Sequence, residues 1–266
     1  RKTLLNAVAL TFASMGLMGI FGASLAGFVI EGMGAEAVYF VIALLYTGAI
    51  LALGQLPPDA VNNHSTVSVW GDLREGIDYL KSRPLVVSLL AIVVVRVILG
   101  WSYRTLMPVY ATEVLQLGAR GLGLLSAAPG FGSLLGSLAL VSLGDFRGKG
   151  KIMLVSGCAM GLALVGFSSA RHFVPAFLCL LTVEAARRGL IITSQTLVQV
   201  NLDDAYRGRI MAMYMMTIGF VPLGTLPAGA MADAWGVPVA LTLQGGLMAA
   251  IFAALWLSRS KVRHLD

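Results

Sequence analysis

Residues 179–195 read "CLLTVEAARRGLIITSQ" and place Glu184, Arg187 and Arg188 at the centre of an otherwise apolar run from Phe173 to Val200. The run is long enough to cross a bilayer, which takes about 20 residues in a helix. Charges at that depth cost roughly 2.5–3.5 kcal/mol each on insertion scales, so they are expected to face a watery cavity or partners rather than lipid. On a helix Glu184, Arg188, Gln195 and Gln199 share one stripe, with Arg187 about 100° away from it. Glu184 and Arg188, at i and i+4, are expected to neutralise one another.

The rest of the chain sets this run in a membrane. Of 266 residues 58% are hydrophobic and 12% charged, about half the charged fraction of a soluble domain. Eight apolar stretches are long enough to span: about 4–30, 37–56, 85–109, 121–143, 152–170, 173–200, 209–231 and 237–258. None reads as a cleavable signal, and a chain that begins at Arg1 is expected to be part of a longer one. With eight crossings, thirteen basic residues fall on one side (Arg1, Lys2, Arg74, Lys81, Arg83, Arg147, Lys149, Lys151, Arg207, Arg209, Arg259, Lys261 and Arg263). Only Arg120 and Arg171 fall on the other. Short cytoplasmic loops collect lysine and arginine, so both ends are expected in the cytoplasm.

That bias and the intramembrane arginines account for the net charge of +6, and a nucleic-acid partner is not expected. Cys158 and Cys179 lie in separate spans, with no CxxC or Cys/His spacing, so neither disulfide nor metal site is expected. No nucleophile stands beside a base and no glycine loop follows a strand; neither enzyme chemistry nor a cofactor is expected.

Residues 57–84 form the long polar connection, bounded by Pro57, Pro58 and Pro84. Within it Val69, Leu73, Ile77 and Leu80 recur at helical spacing, which predicts an amphipathic helix on the cytoplasmic surface. "GASLAGFVIEGMG" at 22–34 and "GTLPAGAMADAWG" at 224–236 align without a gap, matching Gly22 with Gly224, Gly27 with Gly229 and Gly34 with Gly236. This echo is what duplicated transporter halves show, and also what small residues at helix-packing seams produce. Gly22, Gly27, Gly224 and Gly229 are read as packing positions, as are Ala128, Gly132 and Gly136 at four-residue spacing. In the span 85–109, Arg96, Gly100 and Tyr103 share a face flanked by Trp101 and Arg104.

Five stretches, "FGASLAGFVIEGMG", "DLREGIDYLKSRPLV", "SLGDFRGKGKIML", "DDAYRGRIMAMYMMTIGFVPLGTLPAGAMADAWG" and the polar connection itself, resemble a major facilitator superfamily transporter of the bacterial drug and siderophore exporter branch. The resemblance implies an all-α, polytopic membrane bundle of twelve helices in two halves, of which this chain would hold the fifth to twelfth. Residues 1–56 would end the N-terminal bundle, 57–84 form the linker, and 85–266 make the C-terminal bundle. "DFRGKGK" is similar to the family's cytoplasmic gating motif, and "GASLAG" to its antiporter motif, with Ala23 in place of the usual proline. The gate would comprise Asp145, Gly148, Lys149 and Lys151, exchanging partners with Asp203, Asp204, Arg207 and Arg209. The resemblance places the spans holding Arg96 and Glu184 beside the central cavity. Arg96, Gly100, Tyr103, Glu184, Arg187, Arg188, Gln195 and Gln199 are the expected cavity or coupling residues. The implied function is export of a small organic molecule across the bacterial inner membrane by ion-coupled alternating access, the ion a proton. The partners are then the lipid bilayer, the substrate and the N-terminal helices of the same protein. Four arginines against Glu184 leave three excess positive charges, which an anionic substrate, or acids on other helices, would balance. Uptake by symport and a non-transporting scaffold or receptor are the alternative readings.

Overall fold

The computed structural model describes residues 22, 25, 26, 28–30, 32–54, 69–143, 148–258, 262 and 265. Every regular element among them is helical. In chain order these are α1 (Ala35–Leu53), α2 (Val69–Lys81), α3 (Pro84–Gly100), α4 (Ser102–Val109) and α5 (Ala119–Ser142). They continue as α6 (Lys149–Ser169), α7 (Phe173–Val200), α8 (Asp204–Met216), α9 (Val221–Trp235) and α10 (Val237–Leu257). A π-helical turn, Tyr110–Val114, extends α4, and a 3-10 turn, Thr217–Phe220, joins α8 to α9.

Five stretches are long and apolar enough to cross a membrane: Pro84–Val114, Ala119–Ser142, Lys149–Ser169, Asp204–Trp235 and Val237–Leu257. The 28-residue α7 matches them in length, about 42 Å at 1.5 Å per residue, and differs by its three central charges. The chain is therefore a multi-pass membrane bundle. Its first expected span, 4–30, lies largely outside the described residues. The second is the shorter apolar α1, whose Tyr39, Phe40, Leu44 and Tyr46 are exposed.

Two of the expected simple spans are composites. The stretch from Pro84 breaks at Trp101 between α3 and α4, and Pro108 inside α4 removes an N–H just before the π turn. The stretch from Asp204 tightens to a 3-10 turn ahead of Pro222, whose missing N–H leaves the Ile218 carbonyl to accept from Val221, one residue earlier, instead. Gly236 ends α9 at φ 87° and opens α10, a conformation costly for any residue with a Cβ. Gly34 stands before α1 at φ 82° with a similar ψ, so the two echoing segments finish in the same backbone turn.

The core forms where α7 packs between α5 and α6, while α6 also packs along α10. Small residues permit this closeness. A Cβ at Gly136 would stand 2.5 Å from the Ala185 carbonyl oxygen, and one at Gly132 would meet the Leu181 carbonyl. The four-residue spacing of these glycines thus marks a helix seam, as expected. Across α6 and α10, a Cβ at Gly161 would lie 2.6 Å from the Gly245 oxygen. Leu89, Val93, Leu154, Leu180 and Phe252 fill the buried space around these seams.

The predicted amphipathic helix is α2, which docks on α8 at one end of the bundle. Arg83 Nη2 pairs with Asp203 Oδ2 at 2.8 Å, Arg209 Nη1 with Glu75 Oε2 at 2.9 Å, and Tyr79 stacks on Tyr206. Lys81, 2.7 Å from Asp78, hydrogen-bonds that carboxyl and holds it below the usual carboxylate range.

Candidate functional site: a buried carboxylate among four arginines

Glu184 lies halfway along α7 with its side chain fully buried. Gly132 and Gly136 bring α5 against the same turn of α7, and a Cβ on Gly132 would sit 3.0 Å from that of Glu184. The other side of Glu184 faces α4, which begins just past the break at Trp101.

That break aims two α4 side chains at one carboxylate. The Tyr103 hydroxyl donates a hydrogen bond to Glu184 Oε1. Arg104 donates to the same oxygen through Nη2 at 2.6 Å and Nε at 3.2 Å. Arg187, one turn further along α7, donates from Nε to Oε2 at 2.7 Å. Both guanidiniums lie against the Trp101 indole, with Arg104 Cζ at 5.5 Å and Arg187 Cζ at 5.7 Å from a ring centroid. Stacking of this kind fixes the plane of a guanidinium and so the direction of its N–H groups.

The expected pairing of Glu184 with Arg188 is corrected by these contacts. Glu184 engages Arg187 at i+3 and Arg104 from α4. Arg188 turns toward α5 and donates from Nε to Ser133 Oγ at 2.7 Å, a neutral partner. The reason is tertiary: Tyr103 and Arg104 lie on the Arg187 side of α7, while the small-residue seam opens room for Arg188 on the other. Arg104, expected only to flank the site, is one of its principal members.

Arg96 is 5% exposed, and its Nε has no hydrogen-bond partner. Its ionisable neighbours include Tyr214 of α8, Arg187 and Glu184. The Tyr214 hydroxyl is 3.2 Å from Ser194 Oγ of α7. Gly100 packs inward, where a Cβ would come within 2.5 Å of Met160 Cε. Gln195 and Gln199 are half-buried further along α7, and no polar contact joins them to Glu184 among the described residues.

One support was invisible in the sequence. Gln244 of α10 donates from Nε2 to Ser102 Oγ at 3.1 Å and to the Gly224 carbonyl at 3.2 Å. It ties the start of α4 to α9 beside the break. Gly224 itself lies against the Ile98 carbonyl of α3, a true close approach, whereas a Cβ at Gly22 or Gly229 would meet nothing within 4 Å. Gly27 lies outside the described residues.

Of the expected gate, Asp145 is outside the described residues. Gly148 adopts a left-handed conformation at φ 86° ahead of Lys149 and Lys151 in the first turn of α6. The partners seen for Asp203 and Arg209 are Arg83 and Glu75, on the linker side, and Asp204 pairs with Arg207 at 2.7 Å. Among the described residues no group of acidic, histidine or cysteine side chains is placed to hold a metal.

A carboxylate and four arginines gathered at mid-span of a multi-pass helical bundle are costly to keep there and mark its candidate functional site. The chain belongs to the transmembrane secretion effector family of the major facilitator superfamily, which it matches over residues 1–266. It is 26% identical over 216 residues to the staphyloferrin A transporter of Staphylococcus aureus, an overlap covering 79% of this chain and 51% of that protein. The chain thus spans about half the length of the curated relative it matches.

Proposed function

We propose that the chain is the fifth-to-twelfth-helix part of a secondary transporter that exports a small organic molecule from a bacterial cytoplasm by ion-coupled alternating access. Eight crossings, both ends cytoplasmic, set residues 1–56 in an N-terminal bundle, 57–84 as linker and 85–266 as the C-terminal bundle in the inner membrane. The motion is rocking of one bundle against the other around a site at the midplane. The observation that carries this reading is Glu184, fully buried at mid-span and held by Tyr103, Arg104 and Arg187. Such an arrangement is expensive in a membrane and finds its use at a substrate or ion pathway. The matching turns at Gly34 and Gly236 support two related halves, and the exposed apolar face of α1 suits further helices or lipid. Nothing in this reading calls for catalysis, a cofactor or nucleic acid; the coupling ion is a proton.

Direction is tested in membrane vesicles of both orientations with an imposed proton gradient. The labelled probes are staphyloferrin A, named for the relative, and the compounds that accumulate in cells lacking this protein. Gradient-driven accumulation in everted vesicles supports export, and accumulation only in right-side-out vesicles replaces it with symport. No protein-dependent flux in either would leave a membrane scaffold or receptor as the reading.

A further inference from the structure

We propose that Arg96, Arg187 and Arg188 form the anion-binding part of the transport site, and that its ligand is a small molecule carrying two or more carboxylates. The inference rests on the transporter reading and deepens it by naming a substrate class.

Charge and hydrogen-bond accounting leads there. Glu184 is the carboxylate in this cluster, and its two oxygens already accept from Tyr103, Arg104 and Arg187. Oε1 is filled and Oε2 accepts from Arg187, while Arg188 donates to Ser133 instead and Arg96 Nε reaches neither oxygen. Arg188 has a hydroxyl oxygen as its hydrogen-bond partner, which leaves its charge uncompensated. Arg96 is more deeply buried, and its Nε is one of two buried side-chain polar atoms without a partner among the described residues. Arg187 gives Nε to Glu184, and Trp101 holds the plane in which its two Nη groups lie. A guanidinium offers a flat fork that matches a carboxylate in paired hydrogen bonds. Two cations with no carboxylate hydrogen-bonded to them, both neighbours of a third, suit a ligand with charge at more than one point. A monoanion would leave one guanidinium unmatched in a region where unpaired charge is strongly disfavoured.

Glu184 then has a positioning role. By engaging Arg104 and Nε of Arg187 it fixes where the latter's guanidinium lies, and it lowers the local positive charge enough for the cluster to fold without ligand.

The test is equilibrium binding to the full-length protein in detergent, which needs no transport and so can fail or succeed apart from the flux experiment. The probes are propionate, succinate and tricarballylate, a series of one, two and three carboxylates on short chains. Trp101, stacked on two of the arginines, provides a fluorescence readout, with a Trp101→Phe control to assign it. Affinity should rise along the series and fall with salt. Arg96→Gln and Arg188→Gln should each weaken tricarballylate binding by about 10- to 100-fold, the scale of a charged hydrogen bond. Arg96→Lys, which keeps the charge but loses the fork, should fall between, while Arg171→Gln should bind as the unaltered protein does. Correct folding of each variant is checked by its elution profile. Equal affinity across the series, or wild-type affinity in a folded Arg96→Gln protein, overturns the proposal. In the second case Arg96 is matched by an acid elsewhere in the protein.

Discussion

Tyr79 of α2 stacks on Tyr206 of α8 with ring centroids 4.3 Å apart and planes 16° from parallel. Around this pair, Asp203 accepts from both the Tyr79 hydroxyl and Arg83, and Arg209 reaches Glu75. The amphipathic helix of the linker is thereby fastened to the beginning of α8, a helix whose other end supplies Tyr214 near Arg96.

Each ion pair in that fastening is exposed, so its share is small. Asp203→Ala and Arg83→Ala should show a coupling of about 0.2–1 kcal/mol in a double-mutant cycle. Hydrogen exchange over Val69–Lys81 should quicken in either variant. Unchanged protection in both would mean that the aromatic stack holds α2 unaided.

The buried pairs are a different matter. Glu184→Gln leaves Arg104 and Arg187 without their carboxylate, and breaking a buried pair in this way costs about 3–5 kcal/mol. The melting temperature of the protein in detergent should drop markedly. Removing both members tests the assignment: coupling of Glu184 with Arg187 should exceed its coupling with Arg188 clearly. Equal coupling would restore the simple i, i+4 reading of α7.

Glycines that look alike in sequence should behave differently. Gly224→Ala pushes a methyl into the Ile98 backbone, which cannot step aside as a side chain would, and overpacking of this sort costs about 1–3 kcal/mol. Gly229→Ala meets open space and should be neutral, or stabilising by up to about 1 kcal/mol through helix propensity. Thermal melts of the two single variants decide it, and equal losses would contradict the packing described.

Topology can be read by labelling. Cysteines placed at Gly34 and Gly236 should react with an impermeant thiol reagent added outside intact cells, and one at Lys149 should not. Reaction of all three from the same side would rule out the eight crossings.

Much of the bundle was legible because a bilayer demands long apolar runs and loops gather at proline and glycine. Expected spans at 121–143, 152–170, 173–200 and 237–258 lie within a few residues of α5, α6, α7 and α10. That Glu184, Arg187 and Arg188 would seek polar partners inside the bundle was legible for the same reason, since charge stands out against hydrocarbon. Their partners were not. Helical spacing allows Glu184 either Arg187 or Arg188, and the choice is made by Tyr103 and Arg104 arriving from a helix some 80 residues away in sequence. The break at Trp101 left only a faint sign in Gly100 and Pro108. Gln244 left none, because a lone glutamine in an apolar run says nothing about which carbonyl it will meet.

The α6–α10 seam carries a mechanical implication. Gly161 and Gly245 set backbone almost against backbone, and Gly157 receives the Phe252 ring, so there is little side-chain padding to shear when one helix slides on the other. These two helices form a stiff plank. Bending within the bundle is then expected where Trp101 and the Thr217–Phe220 turn interrupt the long helices, with Gln244 of α10 tying the first of these joints to the plank. Those two joints border the segments that carry Arg96, Tyr103 and Tyr214, so a flexure at either would shift these side chains relative to the plank.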